Sequence, residues 1–256
     1  MLTDPRVSAC IVLYHSGAQV LDTVKCIMKS TVPIDLYIVD NSPEEPTAQV
    51  IKKMCPRAVV YSQKKNMGFG RGHNVVLPHL KSTYHLIVNP DITFEPDLIQ
   101  RMVDFMDAHK DIVLLSPRVF NPDGTEQFLP KYRPSIHYLL AGKLSGVHPI
   151  FRRWRAEYTM EDQQIEKPMT VDFATGCFML VRTHYFYQMK GFDPRFFLYH
   201  EDSDLTLRAK QYGAVVYHPD MHVVHRWKRE SSHSLHGIML HIYSTAKFFS
   251  KWGWRW

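Results

Sequence analysis

The feature that most constrains this chain is an alternation. Over the first 115 residues, five short apolar runs, at 7–13, 36–39, 58–61, 86–88 and 112–115, alternate with segments whose apolar residues recur at helical spacing. Continuously apolar runs of this size suit strands buried on both faces, and a helix after each supplies the crossover that parallel pairing requires. Helices are expected at 18–28, where Val20, Leu21, Val24, Ile27 and Met28 share a side, at 47–54, at 73–80, and from the start signal Glu95, Pro96, Asp97 to about residue 109. The expected fold class is therefore α/β, with a mainly parallel sheet flanked by helices. With 256 residues and 45% hydrophobic content the chain can bury a large single core.

The ends of the strands raise the functional question. The apolar run at 86–88 meets Asn89, Pro90 and Asp91, so a buried strand ends by presenting a carboxylate past a residue that cannot continue the ladder. Two other strand exits are equally polar: Asp40, Asn41, Ser42 after the second run, and residues 66–74 after the third. In an open α/β sheet, ligands bind outside the carboxyl ends of the strands, so these loops are expected to line one crevice. The glycines at 68, 70 and 72 do not have dinucleotide-fold spacing, and no Gly-Lys-Ser/Thr follows for a phosphate loop. They read either as a flexible turn or as a backbone cradle beside a nucleotide, with Arg71 available for a phosphate.

A lone Asp91 would ordinarily be a cap, but a second acidic group changes its weight. Glu201, Asp202 and Asp204 open a helix whose apolar face carries Leu205, Leu207 and Ala209. The helix dipole favours acids there. It does not explain three acids behind Phe192, Phe196, Phe197 and Tyr199, where desolvation makes carboxylates costly unless they are used.

Beyond residue 117 the period changes. Residues 121–124 signal a turn, 130–168 show no clear period and are expected as an irregular insertion or partly mobile segment, and 171–181 form an apolar strand interrupted by Thr175, Gly176 and Cys177. One domain is expected: a nucleotide-sugar-type half at 1–117, an acceptor-binding and catalytic half at 118–231, and a C-terminal amphipathic helix with a basic, tryptophan-rich tail at 232–256. The four cysteines lie too far apart for a zinc or disulfide framework. The N-terminus lacks a leader pattern, and no apolar run reaches the roughly 18 to 20 residues of a membrane span, so a cytoplasmic protein is expected. From residue 205 onward eight lysines and arginines face two acids, which equals the net charge of +6 of the whole chain. That block points to a polyanion: nucleic acid, nucleotide phosphates or an anionic membrane surface. Nucleic acid fits least, because the aromatics at 192–199 precede acids.

The succession of Asp40-Asn41, Asn66-x-Gly68-Phe69-x-x-Gly72-x-Asn74, Asn89-Pro90-Asp91, Gly176-x-x-x-Leu180-x-Arg182 and Phe192 to Leu205 resembles family 2 glycosyltransferases of the GT-A fold, from about residue 7 to 231. Within them it is most similar to bacterial rhamnosyltransferases of surface polysaccharides. The resemblance implies a mainly parallel Rossmann-like sheet with a smaller mixed acceptor-side region. It implies that Asp40, Asn66, Gly68, Phe69, Arg71, Asn74 and Asn89 bind the nucleotide-sugar donor, a dTDP- or UDP-sugar. Asp91 and His225 would hold a divalent cation, Mg or Mn, although Asn89 stands where the family's motif has its first acid. The family's glycine downstream of that histidine is absent, with Ser231 and Ser232 in the region instead. Asp202 would be the general base, with Glu201, Asp204 and Gly176 on the acceptor side.

These roles agree with the chemistry. Cleaving a sugar–phosphate bond builds charge on the leaving diphosphate, which a hard cation stabilises, while the attacking hydroxyl needs a base on the opposite face. A single displacement inverts the anomeric centre. The implied acceptor is a polyprenyl-linked saccharide at the inner face of the cell membrane. There the C-terminal segment, with Leu235, Ile238, Met239, Ile242, Tyr243, Ala246 and Phe249 on one expected stripe and Trp252, Trp254 and Trp256 beyond, suits an interface. The rival readings are a non-catalytic nucleotide-sugar or carbohydrate-binding module and a nicotinamide oxidoreductase, the latter disfavoured by the glycine spacing.

Overall fold

The computed structural model describes residues 6–226 and 235–256. Ser231 and Ser232 lie outside the described residues. The chain opens β1 (Val7–Leu13), α1 (Val20–Met28), β2 (Ile34–Asp40), α2 (Thr47–Met54), β3 (Val59–Ser62), α3 (Phe69–Val76) and β4 (Tyr84–Val88). It continues β5 (Ile92–Thr93), α4 (Leu98–Ala108), β6 (Ile112–Phe120), α5 (Ile136–Leu144), α6 (Pro149–Tyr158) and β7 (Met169–Thr170). It closes β8 (Phe178–Arg182), α7 (Thr183–Gln188), α8 (Glu201–Ala209), β9 (Ala214–His225) and α9 (Leu235–Trp252).

The strands form one sheet in the order β3-β2-β1-β4-β8-β6-β9-β5, with β7 also on β9. β3, β2, β1 and β4 are parallel, and β8 runs antiparallel to both β4 and β6. The expected mainly parallel half and mixed second region are both present. Successive residues of β1 alternate between two cores: Val7, Ala9, Ile11 and Leu13 meet α1, α2 and α4, whereas Cys10 and Val12 meet α3, α7 and α8. Because strand order reverses around β1, the carboxyl ends of β1 and β4 open a crevice between them.

Three local expectations change. Residues 130–168 contain the two helices α5 and α6, which pack together. α5 hid because its apolar residues surround it, while α6 carries Phe151, Trp154 and Tyr158 at helical spacing between arginines. β6 runs through Pro117, which is tolerated because the register with β9 shifts between Pro117 and Arg118. The expected strand at 171–181 begins only at Phe178.

Arg182, from the family motif, is structural. Its buried guanidinium donates to Ile112 O (2.7 Å), Met106 O (2.6 Å), His109 O (3.1 Å) and Tyr84 Oη (3.0 Å), fastening the end of α4 to the sheet.

Candidate active site

Three elements fix the turn after β4. Asn89 N–H extends the β4–β8 pairing by one bond to Cys177 O (2.8 Å), and Pro90 then stops it. Thr23, buried on α1, donates its hydroxyl to Pro90 O (2.9 Å) and accepts from Ile92 N–H (3.1 Å). From β9, Ile92 pairs opposite His225, and Arg226 N–H donates to Asp91 O (3.0 Å). The carboxylate is therefore presented by a turn that α1, β8 and β9 hold at once.

A cavity lies on each side of this turn. One, of about 390 Å³, is lined by residues 14–19 after β1 together with Pro90 and Asp91. The other, of about 460 Å³, is lined from the turn side by Asn89 and His225 and from the far side by Gly176, Glu201 and Asp202. The loops expected to line one crevice are thus divided: Asp91 lines the first cavity, Asn89 and Asp202 the second, and Asp40 neither.

On the first side, buried Asp40 ends β2 opposite Leu13 and accepts from Ser42 N–H (3.0 Å). Burial raises its pKa, and the Ser42 N–H opposes the rise. Ser42 Oγ accepts from His15 N–H (3.2 Å), which carries the link to the cavity wall. Tyr14 and His15 were missed from the sequence, although they follow the carboxyl end of β1 directly. Tyr14 is 53% exposed, and His15, at φ +47°, contacts Glu45 through Nδ1 (2.6 Å), which raises the imidazole pKa.

At the turn itself, Asp91 Oδ1 is buried and receives no hydrogen bond among the described residues, although His225 Nε2 is 3.3 Å away. Gln127 donates to His225 O (2.9 Å) and to Asn121 Oδ1 (2.8 Å), so its Oε1 faces His225 Nδ1 (3.1 Å) and accepts that proton. In the neutral ring Nε2 then keeps its lone pair, towards Asp91 Oδ1 and the Asn89 amide at 3.4 Å. A carboxylate oxygen and an imidazole nitrogen facing each other across this gap suit a divalent cation, with the remaining ligands coming from diphosphate and water. Among the described residues no cluster of three or more His, Cys, Asp or Glu offers a complete protein cage.

On the second side, Asp202 is held at the first turn of α8. Its Oδ2 accepts from Gly176 N–H (3.2 Å) and its Oδ1 from Ser203 N–H (2.8 Å). Burial raises its pKa, and the nearby Lys131 ammonium pulls it back. Burial, then the charge of Asp202, pushes Glu201 up to about 8, and Glu201 Oε2 has no hydrogen-bond partner among the described residues. Two acids with unequal environments can divide the roles of base and neutral neighbour.

The approach to α8 is strained. Tyr199 and His200 both have left-handed φ, +69° and +64°. α9 holds them: His200 Nε2 contacts Thr245 Oγ1 (2.9 Å), its ring stacks on Phe248 (centroids 5.1 Å), and Ser244 Oγ donates to Leu198 O (2.7 Å).

Several expected residues make scaffold contacts. Asn66 Oδ1 accepts from Gly68 N–H (2.8 Å), making the turn that starts α3. Gly68 sits at φ +83°, where a Cβ would lie 2.2 Å from Phe197 O; Gly70 and Gly72 are helical and packed against Phe192 and Val12. The loop is thus a close-packed helix start rather than a flexible turn. Arg71 Nε donates to Pro194 O (2.7 Å), and Asn74 brackets Phe192 by donating to its O (2.7 Å) and accepting from its N–H (2.8 Å). Neither lines a cavity on either side of the turn; of this segment Phe69 does, on the Asp202 side. Asp204 is fully buried, ion-paired to Arg208 (2.8 Å) and Lys251 (2.5 Å), and accepts from Trp252 Nε1 (2.9 Å), so it anchors α9 rather than facing an acceptor.

The C-terminal stripe is also redistributed. Phe248, Phe249 and Ser244 are buried, while Met239, Ile242 and Tyr243 are exposed. Much of the C-terminal positive charge is engaged internally: Lys251 with Asp193 and Asp204, Lys210 with Asp172, Arg226 with Asp22. Among the described residues no helix is long and apolar enough to cross a membrane.

The glycosyl transferase family 2 model matches residues 8–189. An N-acetylglucosaminyl-diphospho-decaprenol L-rhamnosyltransferase of Mycobacterium tuberculosis is 27% identical over 208 residues, covering 75% of this chain and 66% of the relative. The chain therefore spans just under two thirds of that relative's length. Among solved structures, S. aureus TarS 1-349 in complex with UDP-GlcNAc superposes with TM-score 0.62 at 16% identity, covering 90% of this chain and 61% of that one. The mannosyltransferase PcManGT of Pyrobaculum calidifontis, in complex with GDP-Man and Mn2+, gives 0.60 at 12% identity, covering 96% and 65%.

Proposed function

The chain belongs to glycosyl transferase family 2, and we propose that it transfers a sugar, rhamnose from a dTDP-linked donor, to a lipid-linked saccharide with inversion at the anomeric carbon. The observation that carries this reading is the Asn89, Pro90, Asp91 turn, with Asp91 on one cavity and Asp202 on the other. The donor occupies the side lined by Tyr14, His15 and Asp91, near Asp40, and the acceptor enters beside Asp202 and Glu201.

Asp202 takes the proton of the acceptor hydroxyl as that oxygen bonds to the anomeric carbon and the bond to the diphosphate breaks. Gly176 and Ser203 N–H groups orient its carboxylate. Glu201, raised in pKa, stays largely protonated at neutral pH and leaves the charge on Asp202. Asp91 and His225 would hold Mg or Mn, with Gln127 fixing the histidine tautomer. When bound, that cation neutralises the charge that develops on the diphosphate.

The mycobacterial relative supports rhamnose and a polyprenyl diphosphate acceptor. TarS supports a uridine donor as the alternative to dTDP, and PcManGT supports the cation. A lipid-linked acceptor would bring the protein to the inner face of the cell membrane, with exposed Met239, Ile242 and Tyr243 of α9 as its apolar contact. A thermal-shift screen of dTDP- and UDP-sugars with and without Mg or Mn tests donor and metal together. Stabilisation by a nucleotide sugar that depends on metal is expected; absence of stabilisation by every nucleotide sugar would sink the proposal.

One observation favours a second reading: with Asn89 in place of an acid the cation site has few protein ligands, as a non-catalytic sugar-nucleotide module would tolerate. Transfer by the wild type that disappears in Asp202→Asn while donor binding persists would exclude it.

A further inference from the structure

The Asp202 cavity has apolar walls, from Leu129, Leu139, Phe173 and Leu198, and Lys131 is the only lysine or arginine lining it among the described residues. Lys131 stands where the chain leaving β6 bridges to Phe173. Its ammonium lies 4.9 Å from the Phe173 ring centroid and 5.8 Å from that of Tyr158. Aromatic faces stabilise a partly desolvated cation without neutralising it.

The Lys131 ammonium has no hydrogen-bond or ion-pair partner among the described residues, a contrast with Lys251 and Lys210 on the same molecule. Asp202 acts on it through space, and its own pKa is pulled down in return, but the two form no direct ion pair, and backbone N–H groups hold the carboxylate where it is. A half-buried ammonium with no directly paired anion, on the wall of a substrate cavity, is costly to keep charged unless an anion arrives there.

We propose that Lys131 is a phosphate-binding residue for the acceptor, receiving the diphosphate that joins the acceptor saccharide to its lipid while the saccharide hydroxyl faces Asp202. This rests on the transferase reading and adds to it a selection rule. The cavity would favour acceptors that carry phosphate next to the sugar being extended over neutral glycosides, and the apolar walls would meet the first lipid carbons.

The test is calorimetric binding of farnesyl diphosphate, farnesol and dTDP to wild type, Lys131→Met and Lys131→Arg, with Lys131→Gln in reserve should the methionine variant unfold. We expect farnesyl diphosphate to bind the methionine variant about tenfold or more weakly than wild type, as the loss of a charge-assisted contact implies. The arginine variant should retain most of the affinity, and farnesol and dTDP should not respond to the substitutions. Equal binding of farnesyl diphosphate by wild type and the uncharged variant would overturn the proposal. So would its failure to bind wild type that binds dTDP, or a loss of dTDP affinity instead, which would give the ammonium to the donor. Failure of wild type to bind dTDP or any nucleotide sugar would be a different result, directed at the transferase reading itself.

Discussion

Cutting the chain after Ser250 removes Lys251 and Trp252, which hold a carboxylate inside the protein. Asp204 is 0% exposed; Lys251 Nζ lies 2.5 Å from its Oδ1, and Trp252 Nε1 donates to the same oxygen at 2.9 Å. After the cut, Arg208 on Oδ2 is the remaining partner. A hydrogen bond to a charged group contributes about 1.5–3 kcal/mol, and stripping one partner from a buried ion pair costs about 3–5 kcal/mol. Because Arg208 survives, the lower end, about 3 kcal/mol, is expected, equivalent to a fall in Tm of about 6–12 °C for a domain of this size. A form ending at Gly253 keeps both residues and loses exposed Trp254 and Trp256, the stack of Trp254 on Phe249 and the Arg255 O that accepts from Ile136 N–H (2.9 Å), a cost of about 1–3 kcal/mol that the form ending at Ser250 bears in addition to its own. Thermal unfolding followed by circular dichroism on the three forms separates these cases. Equal midpoints for the forms ending at Ser250 and Gly253 would refute the anchoring role of Lys251 and Trp252. The same pair serves the membrane question, since only the longer form removes exposed tryptophans without unseating α8.

Gln127→Leu frees the His225 tautomer and should weaken Mn or Mg affinity by about 10- to 100-fold, read by metal titration of the donor complex; unchanged affinity would remove Gln127 from the site. Glu201 has a raised folded pKa, so it favours the folded state at low pH, and that contribution is lost as pH climbs from the ordinary glutamate value through about 8. Glu201→Gln should therefore match wild type near pH 4.5, gain relative stability up to about pH 8 and level off above it, and a difference independent of pH would contradict the burial argument. Asp202 is also raised, and Lys131 offsets the rise, so the acid limb of the transfer rate should lie above the ordinary carboxylate range and move higher still in Lys131→Met.

Much of the first half was legible because its strands obey one rule. Val7–Leu13 is buried at every position, so it reads as an unbroken apolar run, and α1 and α2 show their faces at helical spacing. The acids Asp91 and Asp202 stood out because charge beside apolar sequence needs a reason. What sequence could not separate was contact from support. Asn74 and Arg71 lie in a motif beside the donor segment, yet their side chains meet the backbone of residues 192–194, more than a hundred positions away. Asp204 looks like Asp202 in sequence, but two residues along a helix turn it about 200° to the other side, onto Lys251 and Trp252. Lys131, Tyr14 and Gln127 gave no periodic signal, since each owes its place to chain segments that pair only in three dimensions.

The central claim is that Asp91 and Asp202 serve one reaction from opposite sides of one turn. Transfer from a nucleotide sugar, measured at saturating donor in Asp202→Asn alongside donor affinity, tests it most directly. A fall in turnover of about 100-fold or more with donor affinity retained is the expected result. Turnover near the wild-type rate would contradict the account.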